Sequence, residues 1–225
     1  MQNQEKKVAG EAAAALVTGG MTLGLGTGST VAFFLNALGE KIRQGMKVRG
    51  VPTSEQTAAL CHALGIELRD IHSVDRLDLT IDGADEIDHQ FRMIKGGGGA
   101  LLREKIVAEI SERVAIVVDS TKFVKRLGVF PVPVEVVRFG YQQVRNRLAA
   151  MGIAAKLRFT GDDPYTTDNG HYILDCPMGS IHEPEALAAE VKALTGVVET
   201  GLFMNHCHTL IIGKGAEAIV RSKDA

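Results

Sequence analysis

The chain has 225 residues, of which 45% are hydrophobic and 23% are charged, and its formal net charge at pH 7 is -2. This composition is typical of a globular protein that can bury a core, and the slightly acidic balance does not favour nucleic-acid binding. No apolar run approaches the roughly 18 residues of a membrane span, and the N-terminal segment lacks the apolar region of a signal peptide, so we expect a cytoplasmic protein with no membrane partner.

Short apolar segments alternate with helical patterns through the first half of the chain. Strands are predicted at residues 21–26, 47–51, 77–82 and 113–119, and helices at residues 31–42, 55–64 and 100–111. Ser29 and Thr30 precede the first of these helices and Ser54 precedes the second, so we expect them to act as helix caps. The alternation is typical of an α/β fold with a Rossmann-like, mostly parallel sheet and helices on both faces.

A different order of elements begins at FPVPVEVV, residues 130–137. A strand, a helix, two strands, a helix and a strand at 197–203 follow the order of a ferredoxin-like α+β unit. We expect Pro133 to keep its strand out of the centre of a sheet, because proline lacks the backbone N–H. The tail is predicted to form an apolar strand and a short helix. The predicted division is an α/β domain of residues 1–130 and 206–225, with residues 131–205 inserted as a smaller α+β domain.

The segment GLGTGST, residues 24–30, follows the first predicted strand and leads into a helix. Its glycines let backbone N–H groups turn toward a ligand, and a helix N-terminus attracts anions, so we predict a phosphate-binding loop. A dinucleotide fingerprint would need glycine where Ser29 stands, and a P-loop would need a Gly-Lys pair that is missing. A plain strand-to-helix turn is the structural alternative.

The acidic segment TIDGADEID, residues 80–88, ends the third predicted strand. Gly83 permits a tight turn, so we expect Asp82 and Asp85 to face one cleft, where neighbouring carboxylates suit proton transfer. The spacing does not match a calcium loop of the EF-hand type. For Asp88 and His89 we favour a solvent-exposed acidic loop over a metal site.

Four consecutive glycines lie in KGGGGALLREK, residues 95–105. Glycine loses the most conformational freedom on folding, so such a run is costly and indicates a function. Successive N–H groups beside Lys95 and a helix N-terminus can form a nest that stabilises a developing oxyanion. We expect Glu104, about one turn into the helix, to face the cleft while Arg103 and Lys105 face solvent. An ordinary exposed glutamate is the alternative.

Together these segments suit proton abstraction next to the carbonyl of a small phosphorylated substrate, which the residues alone do not name. Two other features are interpreted as structural. His206-Cys207-His208 offers too few ligands on one face of a strand for zinc, and Cys61 lies on an apolar helix face.

In their order and spacing, the three segments resemble the motifs of the A-type ribose-5-phosphate isomerase family. The resemblance extends to residues 118–137, 167–175 and 197–203 and covers essentially the whole chain. It implies interconversion of ribose 5-phosphate and ribulose 5-phosphate in the non-oxidative pentose phosphate pathway. It also implies that no metal or organic cofactor is needed and that the chain forms a homodimer or homotetramer.

The resemblance assigns roles to the residues at matching positions. Glu104 matches the family's catalytic base, and we carry over Asp82, Asp85 and Lys95 as further catalytic residues. The substrate-binding residues carried over are Thr27, Gly28, Ser29, Thr30, Asp82, Gly83, Ala84, Asp85, Lys95, Gly96, Gly97, Gly98 and Lys122. Lys122 is expected near the phosphate, whereas the match at Lys6 and Lys7 is loose.

The mechanism expected from both lines of reasoning proceeds through a cis-enediolate. Asp82 moves the proton of ring opening, Asp85 orients the sugar, and Glu104 then carries a proton from C2 to C1. Lys95 and the glycine amides stabilise the negative oxygen. The alternatives left open are another sugar-phosphate isomerase or deaminase on this fold, a nicotinamide-dependent oxidoreductase, a metal-dependent isomerase and a non-catalytic sugar-phosphate sensor.

Overall fold

The computed structural model describes residues 1–223. Its helices are Gln2–Ala14 (α1), Ser29–Arg43 (α2), Glu55–Leu64 (α3), Leu101–Glu109 (α4), Tyr141–Ala150 (α5) and Pro184–Lys192 (α6). Its strands are Thr22–Leu25 (β1), Arg49–Pro52 (β2), Glu67–Leu68 (β3), Leu79–Asp82 (β4), Glu86–Ile87 (β5), Met93–Ile94 (β6), Val114–Asp119 (β7), Val132–Val136 (β8), Lys156–Leu157 (β9), Phe159–Thr160 (β10), Asp163–Pro164 (β11), Tyr172–Cys176 (β12), Val197–Thr200 (β13), Leu202–Phe203 (β14), Thr209–Lys214 (β15) and Glu217–Ser222 (β16). None of the helices in this part of the chain is both long and apolar enough to cross a membrane.

The chain forms two compact units. The first unit contains Met1–Ala84, Arg103–Phe123 and the described residues from His206 onward. The second unit contains Asp85–Leu102 and Val124–Asn205.

A seven-stranded sheet organises the described part of the first unit, in the order β16-β15-β7-β4-β1-β2-β3. Every neighbouring pair is parallel except β15 and β16. One face carries a buried core in which Phe34 and Leu38 of α2 and Cys61 of α3 pack on Leu23 and Leu25 of β1. On the other face, Val107 of α4 packs with residues of β2 and the segment before β4. The predicted mostly parallel sheet with helices on both faces is confirmed.

Two local predictions in this unit are wrong, and one helix was not predicted. Helix α1 was not predicted from the sequence, and its buried alanines pack in the core. Gly28, not Ser29 or Thr30, is the N-cap of α2, and its φ of 125° is a backbone angle that favours glycine. The predicted tail helix is instead strand β16, which pairs with β15 across a turn where Gly215 has φ 61°. Ser54 does cap α3, as predicted, and its side chain accepts a hydrogen bond from Thr57 N.

The second unit contains an antiparallel sheet in the order β13-β8-β12-β9. Numbered by position in the βαββαβ series this is the order 4-1-3-2, which confirms the ferredoxin-like arrangement predicted from the sequence. Its core is formed by apolar side chains of these strands together with Val144 and Leu148 of α5 and Val191 of α6. A three-stranded sheet, β14-β6-β5, and a hairpin of β10 and β11 complete the unit.

Two predictions about strands of this unit are wrong. Strand β8 contains Pro133 and still lies between two neighbours. Proline is tolerated at this position because the registered pairs with β13 end at Val134, so the ladder does not continue to the missing N–H of residue 133. The Pro133 carbonyl still accepts a hydrogen bond from Gly201 N at 2.7 Å. The single strand expected at 197–203 is divided at Gly201, where a Cβ would lie 2.3 Å from the Lys95 carbonyl oxygen.

The compact units differ from the predicted division in two segments, 85–102 and 124–130, which belong to the second unit. Strands β5 and β6 pair with each other and with β14 rather than joining the parallel sheet. The Glu86 carboxylate also accepts hydrogen bonds from Gly128 N and Phe130 N, both at 2.7 Å. These contacts explain why both segments belong to the second unit.

Candidate active site

The carboxyl edge of the parallel sheet carries the polar residues of the first unit. Strands β1, β4 and β7 are neighbours, and their carboxyl ends lead into residues 26–28, Asp82 and the Ser120–Lys122 turn. In open α/β sheets ligands bind beyond this edge. Two of the three segments singled out from the sequence thus reach the edge where chemistry was expected.

Asp82 is held by the loop that follows β1. Its Oδ1 accepts hydrogen bonds from Thr27 N at 3.1 Å and from Gly83 N at 2.7 Å, and only 2% of the residue is exposed. A Cβ on Gly26 would lie 2.1 Å from the same oxygen. The glycine at 26 therefore gives the carboxylate room beside the loop.

The Thr27 hydroxyl joins a buried cluster of hydroxyl groups. It lies 2.8 Å from the hydroxyls of Thr53 and Ser54 and 3.1 Å from that of Thr57. Thr57 in turn donates to the Gly26 carbonyl at 2.9 Å. Thr53 and Thr57 are not among the site residues predicted from the sequence. They belong to a different segment of the sequence, and only the parallel pairing of β1 and β2 brings them to this loop.

The remaining predicted substrate-binding residues of this unit differ in exposure. Gly28 and Ser29 are exposed at the start of α2, whereas Thr30 is buried. Lys122 is half-buried and ends a turn in which the Asp119 carboxylate accepts a hydrogen bond from Thr121 N at 3.1 Å. Gly83 and Ala84 are also half-buried and follow Asp82 directly.

The carboxylate of Glu5 in α1 also binds the Ser120–Lys122 turn. It accepts hydrogen bonds from Ser120 N at 3.1 Å, Ser120 Oγ at 2.7 Å and Gly215 N at 3.0 Å. The bond from Gly215 N, followed by those from Ser120, lowers the pKa of the Glu5 carboxyl from its ordinary value. Glu5 therefore fixes the backbone at Ser120, two residues before Lys122.

Glu104 lies in the first turn of α4 and is 5% exposed, so it is not an ordinary surface glutamate. Its neighbour Arg103 faces outward and pairs with Glu55 at 2.8 Å. The prediction that Lys105 faces solvent is wrong, because this residue is only 8% exposed. The short helix turns consecutive side chains by about 100°, and here both 104 and 105 fall on its buried side.

Lys95 directly precedes the glycine run in the second unit and is almost fully buried, with 3% of the residue exposed. Its N–H donates to the Gly201 carbonyl at 2.9 Å, and its Nζ lies 5.5 Å from the centre of the Phe203 ring. Burial of a lysine is rare and costs free energy, so a buried lysine at the end of a strand indicates a function for this residue.

Asp85 and the glycine run contact each other directly. Gly97 N donates to Asp85 Oδ2 at 2.7 Å, and a Cβ on Gly97 would lie 2.4 Å from Asp85 Oδ1. Gly96 and Gly99 have φ of 97° and 81°, and Gly99 N donates to the Gly96 carbonyl at 2.9 Å. The run is thus a structured turn in which the amides of Gly97 and Gly99 already have partners within the protein.

Two side chains that are not among the predicted site residues, Arg158 and Tyr165, bind the carbonyl groups of this turn. Arg158 Nη1 donates to the carbonyls of Gly96 at 3.0 Å and Gly97 at 3.1 Å. The Tyr165 hydroxyl donates to the Gly98 carbonyl at 3.3 Å. These contacts span more than 60 positions of the chain, so no local sequence signal reveals them.

The prediction of a solvent-exposed loop at Asp88 and His89 is wrong for Asp88 and correct for His89. Asp88 is 1% exposed and pairs with the Arg92 guanidinium at 2.7 Å. It also accepts hydrogen bonds from Gln90 N and Arg92 N, which closes the turn between β5 and β6. His89 is exposed. The Asp88 carboxylate is therefore structural.

The cysteines and the His206–His208 segment have structural surroundings. Within residues 1–223, no three His, Cys, Asp or Glu side chains are grouped to hold a metal ion. His208 Nδ1 accepts a hydrogen bond from Val114 N at 3.0 Å. Cys61 packs in the core of the first unit, as predicted, and burial raises the pKa of its thiol to about 12.

Comparison with known proteins decides the family. The sequence model described as ribose 5-phosphate isomerase A (phosphoriboisomerase A) matches residues 49–217. The chain belongs to the ribose 5-phosphate isomerase A family. It is 47% identical over 214 residues to ribose-5-phosphate isomerase A 1 of Oceanobacillus iheyensis, which covers 95% of this chain and 96% of that protein.

Solved structures agree with this assignment to the ribose 5-phosphate isomerase A family. Ribose 5-phosphate isomerase A of Neisseria gonorrhoeae is 39% identical, with a TM-score of 0.93 over 99% of this chain and 98% of the other. A D-ribose-5-phosphate isomerase solved in complex with phospho-erythronic acid is 33% identical, with a TM-score of 0.95 over 99% of each chain. In this isomerase, then, Thr27–Thr30, Asp82, Glu104 and Lys122 belong to the first unit, and Asp85 and Lys95–Gly98 belong to the second.

Proposed function

We propose that this isomerase interconverts D-ribose 5-phosphate and D-ribulose 5-phosphate, in the non-oxidative pentose phosphate pathway. The observation that carries the proposal is the match to isomerases of this substrate along nearly the full length of both chains. The relative that binds phospho-erythronic acid, a phosphorylated sugar acid, supports a phosphorylated sugar as the ligand here.

The phosphate would bind at the exposed start of α2. Gly28 brings the chain into the helix without a side chain, and the first amides of α2 together with the Ser29 hydroxyl supply donors for an anion. Lys122 follows the end of a strand of the same sheet and would add a positive charge. A sugar without a phosphate would lose these interactions.

Three carboxylates would take part in the reaction, two of them by transferring protons and one by positioning the sugar. Asp82 would accept and return the hydroxyl proton during ring opening, and Asp85 would orient the open-chain sugar. Glu104 would then take the proton from C2 of the aldose, while the electrons of that C–H bond form the C1–C2 double bond and the carbonyl oxygen becomes negative. Burial suits the Glu104 carboxylate to this role, because a general base must be held in one place beside the carbon acid.

The resulting cis-enediolate would be stabilised by positive charge and amide donors. Lys95 would supply the charge, and the glycine run would supply backbone N–H groups. Glu104 then delivers its proton to C1, and the hydroxyl proton of O2 passes to O1, which leaves the carbonyl at C2. One C–H bond breaks and one forms, so the isomerisation needs no external oxidant or reductant.

A single incubation tests the reaction and separates it from hydride transfer. The purified chain is mixed with ribose 5-phosphate in D2O containing EDTA, and the product is followed by NMR. Proton transfer predicts ribulose 5-phosphate with solvent deuterium at C1, whereas a hydride shift would leave that position unlabelled. Absence of ribulose 5-phosphate contradicts the proposed function, and unphosphorylated ribose serves as the matched control.

We also propose that the isomerase acts in the cytoplasm as a homodimer or homotetramer. Light scattering of the purified protein measures its molar mass. A mass equal to the single chain of 24.1 kDa would contradict the oligomeric proposal.

A further inference from the structure

Arg158 makes contacts on two sides at once. Its Nε and Nη2 donate to the two carboxylate oxygens of Asp175, the first at 2.9 Å. Its Nη1 donates to the carbonyls of both Gly96 and Gly97. The side chain is 15% exposed, and all of these residues belong to the second unit. The planar guanidinium, fixed by Asp175, therefore presents one nitrogen to two successive peptide groups.

This contact determines where the amides of the run point. In a planar trans peptide, the carbonyl of one residue and the N–H of the next point in opposite directions. Because one nitrogen binds the carbonyls of Gly96 and Gly97, both oxygens lie on the Arg158 side. The N–H groups of Gly97 and Gly98 must therefore both point away from it.

The position of Asp85 agrees with this geometry. Gly97 N, one of the two amides, donates to Asp85 Oδ2 at 2.7 Å. By the same peptide geometry, the Gly98 amide also points away from Arg158. Tyr165 adds to the restraint, because its hydroxyl binds the Gly98 carbonyl and its ring lies 5.7 Å from the Arg158 guanidinium carbon.

We infer that Arg158, held by Asp175, is a positioning residue that aims the Gly98 N–H at the enediolate oxygen. The inference rests on the proposed function, in which the glycine run stabilises that oxygen. Arg158 itself touches neither substrate nor reacting atoms. Its effect is to keep an amide donor oriented before the charge develops, which is where such donors stabilise a transition state most.

The test compares Arg158→Ala with the matched surface variant Arg145→Ala, whose guanidinium contacts Gln142 instead. Misorientation of one donor should lower kcat of Arg158→Ala by about tenfold to hundredfold. The KM for ribose 5-phosphate should stay within about threefold, because the donor acts mainly on the transition state. Guanidinium chloride, far below denaturing concentrations, should restore part of the kcat that Arg158→Ala has lost. The same addition should leave kcat of the wild type and of Arg145→Ala unchanged.

Two further variants keep the test decisive if Arg158→Ala loses its folded near-UV circular dichroism spectrum. Arg158→Lys keeps the charge but cannot bridge a carboxylate and two carbonyls, and Tyr165→Phe removes only the hydroxyl bound to Gly98. Both should lower kcat more than they raise KM. Wild-type kcat in folded Arg158 and Tyr165 variants, or a loss found only in KM, overturns the inference. An inactive wild-type protein would instead overturn the proposed function.

Discussion

The backbone amide of Gly97 donates to the carboxylate of Asp85 at 2.7 Å, and the position has no space for a side chain. A Cβ there would lie 2.4 Å from Asp85 Oδ1, much closer than a real Cβ comes to any neighbour. The carboxylate packed against position 97 thus explains why this member of the run is glycine.

Gly97→Ala should therefore displace Asp85 or the turn. Asp85 is proposed to orient the sugar, and a displacement near 1 Å at such a group costs about 10²-fold in rate, so we expect kcat to fall by about that factor. Steady-state assays with ribose 5-phosphate measure the change. Gly19→Ala is the control, because its Cβ would meet nothing nearer than 4.0 Å. Unchanged kcat in Gly97→Ala would show that the contact does not serve catalysis.

Glu104→Gln should leave a folded protein that binds substrate but moves the proton poorly. The amide cannot accept the C2 proton, and a general base typically contributes about 10²–10⁴-fold, so kcat should fall by that amount. KM should change only a few-fold, as expected for an interaction needed in the transition state. Glu109→Gln, an exposed glutamate on the same helix, should keep wild-type rates. A Glu104→Gln enzyme with most of its kcat would rule out the base.

Thr27→Val should destabilise the fold by removing the hydroxyl at the centre of the buried cluster. Valine keeps the shape but leaves the hydroxyls of Thr53, Ser54 and Thr57 with fewer partners. Loss of a buried hydrogen-bonding group costs about 1–3 kcal/mol, and urea unfolding should show a decrease of that size in the free energy of unfolding. Thr18→Val, at an exposed position, should change it far less. Equal effects of the two variants would argue against the cluster.

Glu5→Gln should alter the pH dependence of stability. Hydrogen bonds from Gly215 N and from Ser120 lower the pKa of Glu5 in the folded state below its ordinary value of 4.5. A lowered folded-state pKa stabilises the protein above the unfolded-state pKa, and this stabilisation disappears as the pH falls through the folded-state value. Wild type should thus exceed Glu5→Gln in free energy of unfolding at neutral pH, and the gap should close on acidification below about pH 4.5.

Urea unfolding at a series of pH values measures this gap. Glu11→Gln is the matched control, because its side chain is 53% exposed on the same helix. A difference between wild type and Glu5→Gln that stays constant from neutral to acidic pH would contradict the role of the Glu5 charge.

Features that depend on local patterns could be predicted from the amino-acid sequence. Apolar periodicity and turn residues located the strands β1, β2, β4 and β7 and the helices between them, because these signals are carried within a few residues. The same locality placed Thr27 and Asp82 at strand ends, which parallel pairing brings to one edge. The hydroxyl of Ser54 could be identified as a cap because capping involves residues only three positions apart.

Features that depend on partners distant in the chain became visible in the folded structure alone. Pro133 fits a central strand because its registered pairs with β13 end at Val134, and the adjacent Gly201 carbonyl takes its hydrogen bond from Lys95 N instead of from residue 133. Lys105 became buried because packing around α4, not the helical wheel alone, sets which side is covered. Arg158 reached Gly96 across 62 positions because folding of the second unit brings the two segments together. Such contacts follow from long-range packing, for which a single sequence carries no periodic signal.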